Sequence, residues 1–190
     1  MGGLILFLLV VALLAALIFI LINNSIISSK NNVIRSWSDV VTYQRQKTKL
    51  LPDLERVTRD YLNFEKQLLS NITELRSALT RVSSSRVDVQ TLEDIEAKTQ
   101  SVFSGFRAVV EAYPDLRSAD LIRDLMAEMI ELEENIAAAI TIFNRNVSEF
   151  NTGIEIFPNS IVNEMATRLK PYPAFRDSIA EDDIEYKFRG

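Results

Sequence analysis

The hydrophobic pattern of this chain begins with an unbroken apolar run from Leu4 to Ile22. At 1.5 Å per residue, a helix over this run is roughly 30 Å long, which is the hydrocarbon thickness of a bilayer. Inside lipid, backbone N–H and C=O groups must find partners within the segment, so a single span is predicted to be helical. We therefore expect a short end at residues 1–3 and a transmembrane helix over 4–22, in contact with the lipid bilayer.

The alternative for this run is a cleaved secretory signal. Such a signal has a basic leading region, an apolar core of about 7–15 residues and a small-x-small cleavage site. Residues 1–3 carry no lysine or arginine, and the residues that follow Ile22 contain no such site. We expect an uncleaved anchor.

The flanks of the run predict its orientation. No basic residue precedes it, and one acidic residue, Asp39, stands among the basic residues that follow it. The basic residues of this flank are Lys30, Arg35, Arg45, Lys47 and Lys49. Since positively charged flanks are retained in the cytoplasm, we expect a single-pass protein with its N-terminus outside and its body in the cytoplasm.

Beyond the span, apolar residues recur at steps of three and four over residues 23–157. This spacing indicates amphipathic helices, and no sustained alternation with period two indicates strands. We predict four helices, over about 26–50, 52–82, 88–113 and 119–157, the first of which can continue the membrane helix. Short connections and coiled-coil-like stripes predict an all-α fold, in which an antiparallel up-and-down four-helix bundle follows the transmembrane helix.

Individual residues mark the expected helix boundaries. Pro52 suits the first turn of the second helix, where its missing N–H costs nothing, and Asp88 suits a cap for the third. Gly105 lies inside the third helix, which indicates a close helix crossing there. Pro114 and Pro158 are expected to end the third and fourth helices.

Residues 158–190 have a weaker pattern. Residues 160–169 are predicted to form a short amphipathic helix, which Pro171 and Pro173 bring to an end. The remainder is acidic and aromatic without clear periodicity. We expect an irregular tail that is either packed loosely along the bundle or disordered.

Composition excludes several kinds of chemistry. The 190 residues include neither histidine nor cysteine, and the net charge is −5. These absences remove the commonest general base, thiolate metal sites and the usual catalytic triads, and the negative charge argues against a nucleic-acid binder. We therefore expect no enzyme activity, no catalytic, cofactor-binding or metal-binding residues, no cofactor and no small-molecule substrate.

Three features could still serve as sites. Trp37 could anchor at an interface, but its place on the apolar stripe favours a core residue. Asn144 and Asn151 share one helix face, where they either bond across helices or lie half solvated at the bundle margin. An acidic cluster could hold a cation, but without histidine a solvated face is favoured. This cluster comprises Asp124, Glu128, Glu131, Glu133 and Glu134.

Several stretches resemble the LemA family. They are VIRSWSDV at 33–40, KLLPDL at 49–54, EAYPDL at 111–116, ELEENI at 131–136 and the Phe-Asn repeat of 143–158. Phenylalanine replaces the family's tyrosine at 143 and 150, and the similarity fades after about Met165. The resemblance implies a bacterial inner-membrane protein with one span and a helical body, and it supplies no catalytic activity or cofactor.

Two functions fit these observations. The first is a membrane-anchored interaction or scaffolding protein that offers exposed apolar residues to protein partners, with Ile142, Ile156 and Ile161 as candidates because they fall off the main stripes. The alternative is a self-assembling membrane protein that forms a homo-oligomeric ring or cluster. Small residues in the span, Ala12, Ala15 and Ala16, would then permit close span–span approach.

Overall fold

The computed structural model describes residues 1–61, 66–112 and 120–176, and within these ranges all regular structure is helical. Helix α1 comprises Gly2–Tyr61, α2 Lys66–Arg81, α3 Val89–Ala112 and α4 Asp120–Glu155. A short α5, Asn159–Val162, continues directly into one π-helical turn, Asn163–Thr167. Arg168 has a left-handed backbone (φ 49°), and residues 168–176 form no regular secondary structure.

Helix α1 is continuous from the apolar run into the body. Its 60 residues span about 90 Å, and the predicted start of a second helix at Pro52 is wrong because Pro52 lies inside α1. Proline removes one hydrogen bond and crowds the preceding turn. The helix persists because Leu51 and Leu54, on either side of Pro52, are both buried in the core. Tertiary packing thus overrides the local preference for a helix boundary.

Helices α1 and α4 run antiparallel with a constant register. The ring centroids of Trp37 and Phe143 are 5.4 Å apart, and Lys47 Nζ is 3.0 Å from Glu133 Oε1. Nearer the apolar run, the Asn146 side-chain amide donates to the Asn32 carbonyl at 3.5 Å. Each pair of residue numbers sums to 178 or 180, as antiparallel helices of equal rise require.

Helices α2 and α3 complete the bundle. The Trp37 indole N–H donates to the Ser83 carbonyl at 2.8 Å, which fixes the end of α2 against α1. Between α2 and α3, Arg81 pairs with Asp94 at 3.2 Å. A Cβ at Gly105 would lie only 3.2 Å from Leu68 Cδ1, so the predicted close crossing is confirmed. The antiparallel four-helix bundle predicted from the sequence is therefore present.

Asp88 caps helix α3 as predicted. Its carboxylate accepts a hydrogen bond from the Thr91 backbone N–H at 3.1 Å. This bond lowers the pKa of Asp88; burial opposes it, and the Thr91 side chain and Arg86 add further lowering. The cap satisfies one of the unpaired N–H groups that every helix start exposes.

The core contains most of the predicted stripe residues. Trp37 is fully buried, which confirms a core position, and Phe143 and Phe150 are fully buried as well. Two predicted stripe positions at the ends of the fourth helix, Leu121 and Phe157, are exposed instead. Pro114, residues 113–116 of the LemA-like stretch and tail residues 177–190 lie outside the described residues.

The N-terminal part of α1 has the properties of a candidate membrane span. Its best 18-residue window has a mean hydropathy of 3.6, and none of that window is buried against the rest of the described chain. A core helix of this composition would be covered by other helices. The length and composition of this segment are those of a helix that can cross a bilayer.

The packing of the core predicts that alanine substitutions at two neighbouring residues of α4 differ sharply in their effect on stability. Replacing buried Phe143 with alanine is expected to lower the free energy of unfolding by about 3–5 kcal/mol, because it removes the ring that packs on Trp37. The same replacement at exposed Ile142 is expected to change it by about 0.5 kcal/mol or less. Urea unfolding of the full chain in detergent, followed by circular dichroism, measures both. Equal effects at the two positions would contradict this packing.

Candidate functional site

A charged cluster occupies the interior of the bundle between α1, α3 and α4. Lys47 is only 4% exposed, and its ammonium group donates to the Thr99 hydroxyl at 2.9 Å. The same ammonium lies 3.3 Å from Glu96 Oε1 and 3.0 Å from Glu133 Oε1. Gln44, also buried, donates a short hydrogen bond to Glu96. One cation is therefore shared by two carboxylates.

Glu133 is incompletely satisfied in this cluster, as is Gln44, whose Oε1 has no hydrogen-bond partner among the described residues. The Glu133 Oε1 approaches Lys47 as an ion pair, but among the described residues it accepts no well-directed hydrogen bond. Burial raises the pKa of Glu133 above its usual 4.5, the nearby Glu96 raises it further, and Lys47 opposes the rise. The remaining residues of the predicted acidic cluster are exposed, so only Glu133 departs from the expected solvated face.

A small cavity adjoins Lys47. Its volume is about 20 Å³, and its lining is apolar except for Lys47, Thr99 and Glu133. This volume suits about one water molecule with two to four polar partners. Small-molecule sites are usually several hundred Å³, so this cavity is too small for a substrate. Within the described ranges, no group of histidine, cysteine, aspartate or glutamate side chains has the geometry of a metal site.

Two open grooves follow helix α4, one on each side. The α1–α4 groove, of about 480 Å³, is lined by Tyr43 and Ile142, with Ala138 and Ala139 between them. The α3–α4 groove, of about 410 Å³, is lined by Glu96, Gln100, Glu133, Ile136, Ala137, Ile140, Asn144 and Phe175. The first groove therefore has a mostly neutral lining, and the second borders the charged cluster.

A segment without regular secondary structure, residues 168–176, runs back along α4, and we call it the strap. Asn151 donates to the Tyr172 carbonyl and accepts from the Tyr172 N–H, both at 2.9 Å. Asn144 binds the Phe175 backbone in the same way, again with two bonds of 2.9 Å. Each asparagine amide thus donates one hydrogen bond to, and accepts one from, the backbone of a single strap residue, as a neighbouring β-strand would.

The strap begins with a third contact of this kind. Asn163 donates to the Leu169 carbonyl at 3.1 Å and accepts from the Leu169 N–H at 3.0 Å. The contacted residues, Leu169, Tyr172 and Phe175, are three apart, which is the repeat of a polyproline II helix, and all three pack against the core. Pro171 and Pro173 favour that conformation.

Sequence reasoning placed these features only in part. Asn144 and Asn151 do share one face, but they bind the strap and neither pair across helices nor lie idle at the margin. Two features of the sequence could have indicated these contacts, namely the seven-residue spacing of Asn144 and Asn151 and the three-residue spacing of the apolar residues in the strap. Lys47 was counted among the flanking charges, although it continues the buried stripe that includes Gln44.

Comparison with known proteins identifies the family of this helical bundle. The sequence profile of the LemA family matches residues 36–188, so the chain belongs to the LemA family. Protein LemA of Metamycoplasma hominis is similar at 34% identity over 99 residues, which cover 51% of this chain and 43% of that protein. The chain thus matches less than half of that relative's length. The family match continues well past Met165, so the expected limit of the resemblance was wrong.

The paired amide contacts predict local release of the strap. In an Asn151→Ala variant, the Tyr172 amide loses its acceptor, and its hydrogen exchange is expected to accelerate about tenfold or more, since a buried hydrogen bond contributes about 1–2 kcal/mol. An Asn151→Asp variant keeps the acceptor and should retain part of the protection. Exposed Asn135→Ala is the matched control on α4. Unchanged exchange at Tyr172 in the alanine variant would contradict a role of Asn151 in holding the strap.

The raised pKa of Glu133 predicts a pH-dependent stability. Because the folded state holds this proton more tightly than the unfolded chain, stability contributed by the protonated group is lost as pH rises above about 4.5. Relative to its difference from wild type at pH 4, Glu133→Gln is therefore expected to gain stability as the pH rises above about 4.5. Urea unfolding at several pH values measures the difference, with exposed Glu134→Gln as the control. A pH-independent difference would contradict the assigned shift.

Proposed function

We propose that this LemA-family protein is a membrane-anchored, non-catalytic interaction protein, which holds a helical bundle at the cytoplasmic face of a bacterial cell membrane and offers it to a protein partner. The observation that carries the proposal is the continuity of α1. One helix contains both the apolar candidate span and the residues that form the centre of the bundle. The body is therefore held at a fixed height and direction relative to the membrane.

The interior supports a structural role for the charged cluster. Its ammonium and carboxylate groups face one another across three helices, and the adjoining cavity has room for about one water molecule. Neither histidine nor cysteine occurs anywhere in the sequence. Buried ion pairs of this kind can fix which helices pack together and in what register. We therefore propose that Lys47 and its partners specify the bundle and do not perform catalysis.

The α1–α4 groove is the surface that we propose for the partner. Ile142 is 56% exposed and lines the groove together with Tyr43, while Ala138 and Ala139 leave room for close approach. The groove follows α1 from Ser36 to Gln46, a distance of about 15 Å or almost three helical turns. These dimensions suit one amphipathic helix of a partner protein, laid along the groove with its apolar face on Ile142.

Site-specific photo-crosslinking tests this surface. A photoreactive amino acid at position 142 of the full chain in native membranes is expected to give one discrete crosslinked product of higher mass. The same probe at Ile130 is the matched control, because Ile130 is 52% exposed on α4 but does not line the groove. An additional Ala138→Arg substitution, which fills the groove, should abolish the product at position 142.

The identity and mass of the product separate the possible outcomes. A product that contains a second protein supports the proposal. A product with twice the mass of the chain would replace it by self-assembly through the same groove. Equal labelling at positions 142 and 130, or no product at either, would contradict a role of the groove in binding.

A further inference from the structure

We infer that the turn after α4, residues 156–165, inserts its apolar side chains into the interface of the membrane that α1 crosses. We call this segment the corner. The inference rests on the proposed anchor and adds a second lipid contact to it, made by a part of the chain more than 130 residues away from the apolar run. The body would then contact the bilayer directly, in addition to its connection through α1.

The corner concentrates exposed apolar surface. Phe157 is 79% exposed and Met165 69% exposed, and Ile156 and Ile161 are each about half exposed. Across the rest of the described body, the other exposed large apolar side chains are dispersed along α1 and α4, at Ile27, Leu121, Ile130 and Ile142. Four such residues within ten positions are typical of a surface that meets a membrane or a partner.

The helix register places the corner level with the end of the apolar run. Opposed residues of α1 and α4 have numbers that sum to 178–180, as at Asn32 and Asn146. By the same register, Glu155, the last residue of α4, lies level with residues 23–25 of α1, just past the end of the run at Ile22, and Phe157 follows two residues later. If the run fills the hydrocarbon, Phe157 therefore lies at the boundary between hydrocarbon and headgroups.

Burial within the run supports this placement independently. Phe19 and Ile22 are partly covered and pack against the core cluster, whereas neighbouring Ile20 and Leu21 are more than half exposed. The elements that reach α1 at this end are α5 and the π-helical turn, and Val162 of α5 is buried. The corner thus covers one side of the last turn of the run.

The charges around the corner are mixed, which favours an apolar contact with lipid. Glu155 and Glu164 are exposed beside the apolar residues, and Arg168 and Lys170 follow them. Two acidic and two basic side chains give no net preference for anionic headgroups. The stabilisation would come from apolar side chains at the acyl boundary, as in amphipathic segments that lie in a membrane interface. Insertion is therefore expected in uncharged phosphatidylcholine vesicles.

Fluorescence quenching in reconstituted vesicles tests the inference. Since the chain has no cysteine, Phe157→Cys, Ile161→Cys, Ile142→Cys and Leu13→Cys each give one labelling site for an environment-sensitive fluorophore. The full-length chain is placed in phosphatidylcholine vesicles with nitroxide-labelled lipid or with aqueous iodide. Labels at 157 and 161 are expected to be quenched by lipid roughly twofold more, and by iodide roughly twofold less, than the label at 142.

The label at position 13 distinguishes failure of the corner to insert from failure of the proposed membrane anchor. Quenching by lipid at 13 but not at 157 or 161 would overturn the inference and leave the anchor intact. Absence of lipid quenching at 13 would overturn the anchor itself. Labels at 157 and 161 that are shielded from both quenchers would indicate a second copy over the corner, and this result would also overturn the inference.

Discussion

The structure depends on the burial of one long helix against another. Helix α1 packs on α4 from the level of Glu133 to the level of Ile154, and the aromatic contact between Trp37 and Phe143 lies in the middle of this interface. The remaining helices complete the cover around this pair. Because α1 also contains the apolar run, the forces that fold the body simultaneously fix the direction in which the run leaves it. A bundle built on a separate short helix would lack this constraint.

Few polar side chains are buried in the bundle, and those that are buried constrain how the helices pack. Lys47 is placed where α1, α3 and α4 meet, so its partners Glu96 and Glu133 must face the same point. Separating a charge from its partners in a low-dielectric interior costs several kcal/mol. A shift of any one of these helices by one turn would separate Lys47 from its partners. The cluster therefore disfavours alternative registers that a uniformly apolar stripe would tolerate.

Periodicity alone was enough to predict the helices, their order and most of the core. It failed at Pro52, because local preference favours a boundary there while Leu51 and Leu54 hold the helix together through packing. It also failed to show that Lys47 is interior, since pattern reasoning treats lysine as a surface residue. The roles of Asn144 and Asn151 depend on a chain segment that returns from a distance, which helical spacing cannot reveal.

The asparagine contacts with the strap determine which substitutions this region tolerates. Three asparagine side chains recognise main-chain amides, not the side chains of Leu169, Tyr172 and Phe175. Evolution is therefore free to vary those side chains as long as they stay bulky and apolar, but an imino acid at any of the three positions would delete the donated proton. The prolines of this stretch fall between the recognised residues, in the gaps of the three-residue repeat, where no amide proton is required.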